Sequence, residues 1–181
     1  MDIFYDLTVK KDNYDSIFGN DKMYFLKCCH EKYGLKVVLF CFCEFNGFSL
    51  PEATGKFLYE FKENSNWLKF GFHAYDANAY TDESVDNLKN VYTLFQTEIC
   101  RITGSNPEIE TCRLDRFTAT EEQLALLNSE FGIGTFLGAD SYDRDNYWLD
   151  KDLNTILIKY DTIKIDGYKV TQTGYRIENP G

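Results

Sequence analysis

Apolar residues along the chain fall into runs whose spacing switches between helical and strand periods. In "NDKMYFLKCCHEKYG", Met23, Leu26, Cys29 and Tyr33 recur at steps of three and four, with Asn20 placed as an N-cap and Gly34 just past the end. "LKVVLFCFC", Leu35 to Cys43, is almost continuously apolar and rich in β-formers, which predicts a strand covered on both faces. "SLPE", Ser49 to Glu52, has the form of a capping box with Pro51 in the first turn. It predicts a helix to about Glu63 with Ala53, Phe57 and Phe61 inward. A strand follows in "WLKFGFH", Trp67 to His73, and then the longest periodic stripe of the chain, Val85, Leu88, Tyr92, Phe95, Ile99 and Ile102, ended by Gly104.

The same alternation continues. "IETCRL", Ile109 to Leu114, predicts a strand, "TATEEQLALLNSEFG" a helix with a Thr118 to Glu121 capping box, and "IGTFLGA" a strand ending near Ala139. Beyond Asp140, "YWL", "TILIKYDTIKI" and "YKVTQTGYRI" are expected as short strands, with Asp166-Gly167 as a hairpin turn. Sequential strands joined by helices must run parallel, so the fold class is α/β, and either a barrel or an open sheet carries the pattern. At 181 residues the chain is expected to form one domain, 1–181.

Composition narrows the partners. A formal charge of −10 repels phosphate backbones and anionic lipid surfaces, so neither nucleic acid nor membrane is expected. No apolar stretch approaches the ~20 residues that span a bilayer. The six cysteines follow neither a metal-binding nor a secreted disulfide spacing, and the reducing cytoplasm is the expected compartment. Cys41-Phe-Cys43 places two thiols on one strand face, read as small apolar residues in preference to soft-metal ligands.

In parallel α/β folds, ligands meet the carboxyl ends of the strands. The ionisable residues there are Glu44, His73 with Asp76, Asp115 with Arg116, and Asp140. His73 and Asp76, in "FHAYD", have side chains able to hold a divalent ion such as zinc, against the plainer reading of a strand-end histidine bonded to backbone. His30, on a helix face, is expected to be exposed. Tyr75, Tyr80, Tyr142, Tyr147 and Trp148 are candidate stacking walls for a glycan, with ordinary packing as the competing reading. Motifs of serine hydrolases, P-loop enzymes, dinucleotide binders and zincins are absent.

The blocks "SIFGNDKMYFLKCCHEKYGLKVVLF", "FSLPEATGKFLYEFKENSNWLKFGFHAYD", "RITGSNPEIETCRLDRFTATEEQLALLNSEFGI" and "FLGADSYDRDNYWL" together resemble the NodB-type polysaccharide deacetylases, in particular a divergent group of small bacterial members. The resemblance implies an irregular or incomplete (β/α) barrel and metal-dependent hydrolysis of acetyl groups on a carbohydrate. It implies a divalent metal, usually zinc, held by one aspartate and two histidines, with a further aspartate as general base. Carried over residue by residue, the metal set is Asp2, His73 and Asp76, and the catalytic set is Asp115, Asp140 and Arg113, the arginine orienting the base. Three positions depart from the family pattern: Met1 stands where the base belongs, Ala77 where the second histidine belongs, and no histidine follows His73 to act as general acid. The alternative is a catalytically degenerate member that binds carbohydrate or a protein partner; a protein-binding scaffold with an exposed aromatic patch is a third class. A start that lies inside the family's first strand would leave a sheet edge open, which predicts association or modest stability.

Overall fold

The computed structural model describes residues 1–77, 84–139, 144 and 146–173. The chain is a mixed α/β protein that divides into two compact units, Met1–Asp76 with Asn90–Glu108, and Ala77–Lys89 with Ile109–Gly181.

The first unit opens with helix α1 (Asp2–Val9), where the family resemblance had implied the end of a strand. Phe4 and Leu7, three residues apart, are both buried, so one face of this short helix supplies the core contact that a strand would have split between two faces. Helix α2 (Asp21–Tyr33) has the expected ends: the Asn20 side chain accepts from Met23 N, and Gly34 is left-handed at φ 69°. Strand β1 (Val37–Phe42) is shorter than the apolar run, and apart from Cys41 its residues are only half-buried, so the expectation of full cover on both faces is not met. Two short strands, β2 (Glu44–Phe45) and β3 (Phe48–Ser49), form an antiparallel hairpin over Asn46-Gly47. Both turn residues have positive φ, 53° and 76°, as this tight turn requires.

Ser49 N and Oγ both donate to Glu52, so the capping box is real, but it starts only a 3₁₀ turn at Leu50–Glu52. The α-helix, α3 (Leu58–Glu63), begins six residues later, with Ala53, Phe57 and Phe61 all buried as expected. Strand β4 (Leu68–Ala74) is buried everywhere except Lys69 and runs parallel to β1. Its side chains divide sharply. Phe70 packs on Phe4 and Phe61, at ring separations of 4.9 and 5.4 Å, and Phe72 packs on Tyr92 and Phe95 of helix α4 (Val85–Thr103) at 5.2 and 5.4 Å. Between them Gly71 lies under the Phe40 ring of β1. Arg101, late in α4, donates to the carbonyls of Leu50, Pro51 and Ala53, tying the 3₁₀ turn to the helix.

His30 is half-buried, in contrast to the exposed surface position expected for it. Its ring stacks on Trp67 at 4.4 Å and 7°, and Nδ1 lies 2.7 Å from Leu35 O. The helix face that carries it is the one turned toward the start of β4.

In the second unit, strand β5 is reduced to Thr111–Cys112, helix α5 spans Glu121–Phe131, and strand β6 spans Thr135–Gly138. The α5 cap is Thr120 with Gln123, two residues later than Thr118 and Glu121; Thr118 Oγ1 instead donates to Asp115 O. The largest correction lies at 151–160. "TILIKY" is part of helix α6 (Lys151–Tyr160), because Asp150 accepts from the backbone of Asp152 and Leu153 and the register buries Leu157. β-branched residues there lose to a strong N-cap. "YWL" is likewise no strand. Strands β7 (Thr162–Ile165) and β8 (Tyr168–Gln172) do form the expected hairpin, and the sheet order is β5-β6-β8-β7 with β5, β6 and β8 parallel.

A Cβ at position 71 would fall 2.7 Å from two atoms of the Phe40 ring and 3.1 Å from Val38. Gly71→Ala is therefore expected to lower stability by about 1–3 kcal/mol through overpacking, read as a shift in the urea midpoint; an unchanged midpoint would show that Phe40 does not hold this place.

Candidate functional site

The carboxyl ends of β1 and β4 carry most of the chemistry of the first unit. The ladder between them is regular as far as Cys41, which stands opposite Phe72, and then Phe42 stands opposite Ala74. His73 is thus the extra residue of a β-bulge, a device that redirects a side chain and is over-represented beside functional sites. The His73 residue is 8% exposed, and its ring meets Phe42 edge-on at 4.7 Å. Past the bulge the two chains stay together through Cys43 N to Ala74 O and Glu44 N to Tyr75 O. Tyr75 Oη also donates to Glu44 Oε2 at 3.1 Å. That bond to a carboxylate holds the phenolic proton and raises the Tyr75 pKa above its ordinary value.

The β2–β3 hairpin and α1 border this rim with a groove lined by Met1, Asp2, Tyr5, Phe45, Asn46 and Phe48. Tyr5 meets Phe48 edge-on at 5.4 Å and is half-exposed, and Phe45 stacks on Phe42 at 5.8 Å. Aromatic faces, a carboxylate and an amide thus share one concavity. Sequence reasoning missed Tyr5, Phe45 and Phe48. The signal was present in "FNGF", an Asn-Gly pair between aromatics, which is a strong short-range hairpin cue.

The family resemblance groups Asp2 with His73 and Asp76 as metal ligands. Asp2 opens α1, lines the aromatic groove and pairs with Lys22 at 3.1 Å on exposed surface. Among the described residues no three His, Cys, Asp or Glu side chains gather as a group able to hold a metal ion. His73 and Asp76 remain three residues apart at the end of one strand, Asp76 half-buried.

In the second unit, the segment after β5 holds Arg113, Asp115 and Arg116. The guanidinium groups of Arg113 and Arg144 each lie 4.8 Å from the Phe117 ring centre. Asp115 is 3.7 Å from Arg116 Nε, and Arg116 Nη2 donates to Ala77 O. Arg116 and Phe117 both have left-handed backbones, φ 52° and 57°, a conformation that costs a non-glycine residue about 1–3 kcal/mol and concentrates at functional sites. Asp140, Tyr80 and Tyr142 lie outside the described residues. Tyr147 is no stacking wall: it is buried, packs on Phe136 and donates to Leu137 O at 2.6 Å, and burial raises its pKa. Trp148 is half-buried and donates to Tyr168 Oη.

Cys41 and Cys43 behave as apolar residues. Burial pushes their pKa up to about 11 and about 12, and drives the buried Cys112 upward too, while Cys28, Cys29 and Cys100 are half-exposed. A raised thiol pKa means less thiolate, roughly a thousandth of Cys41 at pH 8. Disulfide-exchange titration of the native protein at pH 8 is expected to modify Cys28, Cys29 and Cys100 and to reach the other three only on unfolding; rapid modification of Cys41 or Cys43 would contradict the burial.

The chain matches no family model, no curated protein and no solved structure.

Proposed function

We propose that the chain is a polysaccharide deacetylase-like protein that meets an acetylated carbohydrate at the carboxyl ends of β1 and β4. Closure of its strands into an irregular (β/α) barrel is part of this reading. The observation that carries it is the juxtaposition of the Tyr5, Phe45 and Phe48 rings with Asp2 and Asn46 in one groove, beside the Glu44–Tyr75 pair. Flat apolar rings accept the C–H face of a pyranose, and carboxylate and amide groups bond its hydroxyls. The resemblance of "ENSNWLKFGFHAYD" to deacetylases supplies the substrate class.

In the hydrolytic form of the proposal, a divalent metal, zinc first, draws on His73 and Asp76. Asp115 or Asp140 transfers protons, with Arg113 orienting the base. The ion would polarise an acetyl carbonyl and lower the pKa of water. Asp2, the third residue of the implied ligand set, lines the groove, and among the described residues no three such side chains gather as a group able to hold the ion. That same observation favours a second form, in which the rim binds carbohydrate without hydrolysing it.

Calorimetric titration with a fully acetylated chitooligosaccharide distinguishes these forms when paired with elemental analysis and an acetate-release assay in added zinc. Binding is expected to weaken roughly tenfold in Phe45→Ala, the loss of about 1.4 kcal/mol of ring contact. Stoichiometric metal lost in both His73→Ala and Asp76→Ala, with acetate release lost alongside it, establishes the hydrolytic form. Binding without metal or release establishes the second. A folded protein that binds no acetylated glycan would overturn the proposal.

A further inference from the structure

The core rings of the first unit gather in two clusters, Phe4 with Phe61 and Phe70, and Phe72 with Tyr92 and Phe95. Phe42 belongs to neither. Half-buried at the end of β1, it makes its ring contacts with Phe45, stacked at 5.8 Å and 11°, and with the buried His73, edge-on at 4.7 Å and 61°. Phe45 lines the groove and makes no ring contact with His73 itself, so Phe42 is the ring between them. The backbone that joins these side chains is pinned. Buried Cys43 donates its N to Ala74 O and accepts from Leu50 N at its own carbonyl, and Glu44 N donates to Tyr75 O. A change at the groove wall therefore meets a fixed backbone, and side-chain rotation is the softer route inward.

We infer that Phe42 is a positioning residue: it holds the His73 imidazole in one orientation and links that orientation to the groove wall at Phe45. The inference takes its ligand from the carbohydrate reading above, and the link itself from the ring contacts alone. A glycan packed on Phe45 fixes that ring, the stack fixes Phe42, and the edge-on contact fixes His73 at the bulge. Shape matters at position 42. A stack needs a flat face, and so does an edge-on contact, whereas leucine fills similar space and offers neither.

The chain has two histidines, so the carbon-bound imidazole protons of His30 and His73 can be followed together by NMR at one fixed pH, assigned with His30→Gln. His30, stacked on Trp67, is the internal control. Without ligand, Phe45→Ala is expected to move the His73 signals and leave those of His30 in place, because Phe42 loses the ring it stacks on. Saturating fully acetylated chitooligosaccharide is expected to move the His73 signals of the unsubstituted chain. That response is expected to be lost in Phe42→Leu and restored in Phe42→Tyr, each checked for native circular dichroism. His73 signals unmoved by Phe45→Ala would overturn the inference, as would a glycan response that survives in Phe42→Leu. Glycan that binds without moving His73 overturns it too and leaves the carbohydrate reading standing. Failure of the glycan to bind sinks that reading instead, and the ligand-free comparison then decides whether Phe42 links the groove wall to His73.

Discussion

The first unit depends on what β4 can tolerate on its two faces. Phe70 and Phe72 point one way, into rings contributed by α1, α3 and α4, and each such ring buries enough apolar area to dominate its surroundings. On the other face the strand has almost no room: Gly71 sits under Phe40, and a methyl group there would collide. With one face filled by large rings and the other closed by a neighbouring ring, β4 has a single register against β1, because a slip of one residue would exchange the faces. Everything at the carboxyl end inherits that register.

The bulge at His73 follows from it. Had the ladder continued regularly, His73 would have stood opposite Phe42; the extra residue instead moves Ala74 into that position. The chains then rejoin at Cys43 and Glu44, which brings the Glu44 carboxylate to Tyr75 and starts the hairpin whose aromatics line the groove. A closely packed strand thus ends in an irregular segment whose geometry is set from behind. This is the arrangement expected where side chains must be held in place without being part of the core.

What could be read from the sequence divides along physical lines. Helix α4 was legible because its stripe persists from Val85 to Ile102 along a helix of 19 residues, so no local preference could override it. The ends of α2 were legible because Asn20 and Gly34 each satisfy orphan backbone groups in a way few residues can. Helix α6 was not, since Ile156 and Thr155 favour strands and the decisive bond is a single carboxylate, Asp150, five residues earlier. The rim list at Glu44, His73, Asp76 and Asp115 came from a rule about parallel strands and needed no side-chain detail. The bulge did not, because a two-for-one pairing is a property of two strands together, and neither strand's sequence contains it. Asp2 was misplaced for a related reason: a motif fragment assigns a residue to a strand end, whereas Phe4 and Leu7 make the same segment an amphipathic helix.

The second unit repeats the principle with different means. After β5, which is only two residues long, regular pairing is replaced by two consecutive left-handed residues, Arg116 and Phe117. Such a conformation persists only when its surroundings over-determine it. Here Leu114 is wholly buried on one side, the Phe117 ring is held by two guanidinium groups, and Phe117 O accepts from Tyr147 N, itself fixed through Leu137. The consequence is that Asp115 projects from a segment pinned on both sides, not from a free loop. In both units, then, the chain departs from regular geometry just beyond a parallel strand, and in both the departure is braced by buried aromatic contacts. Rigid placement of ionisable groups at strand ends is costly, and two separate sets of packing interactions in this chain maintain it.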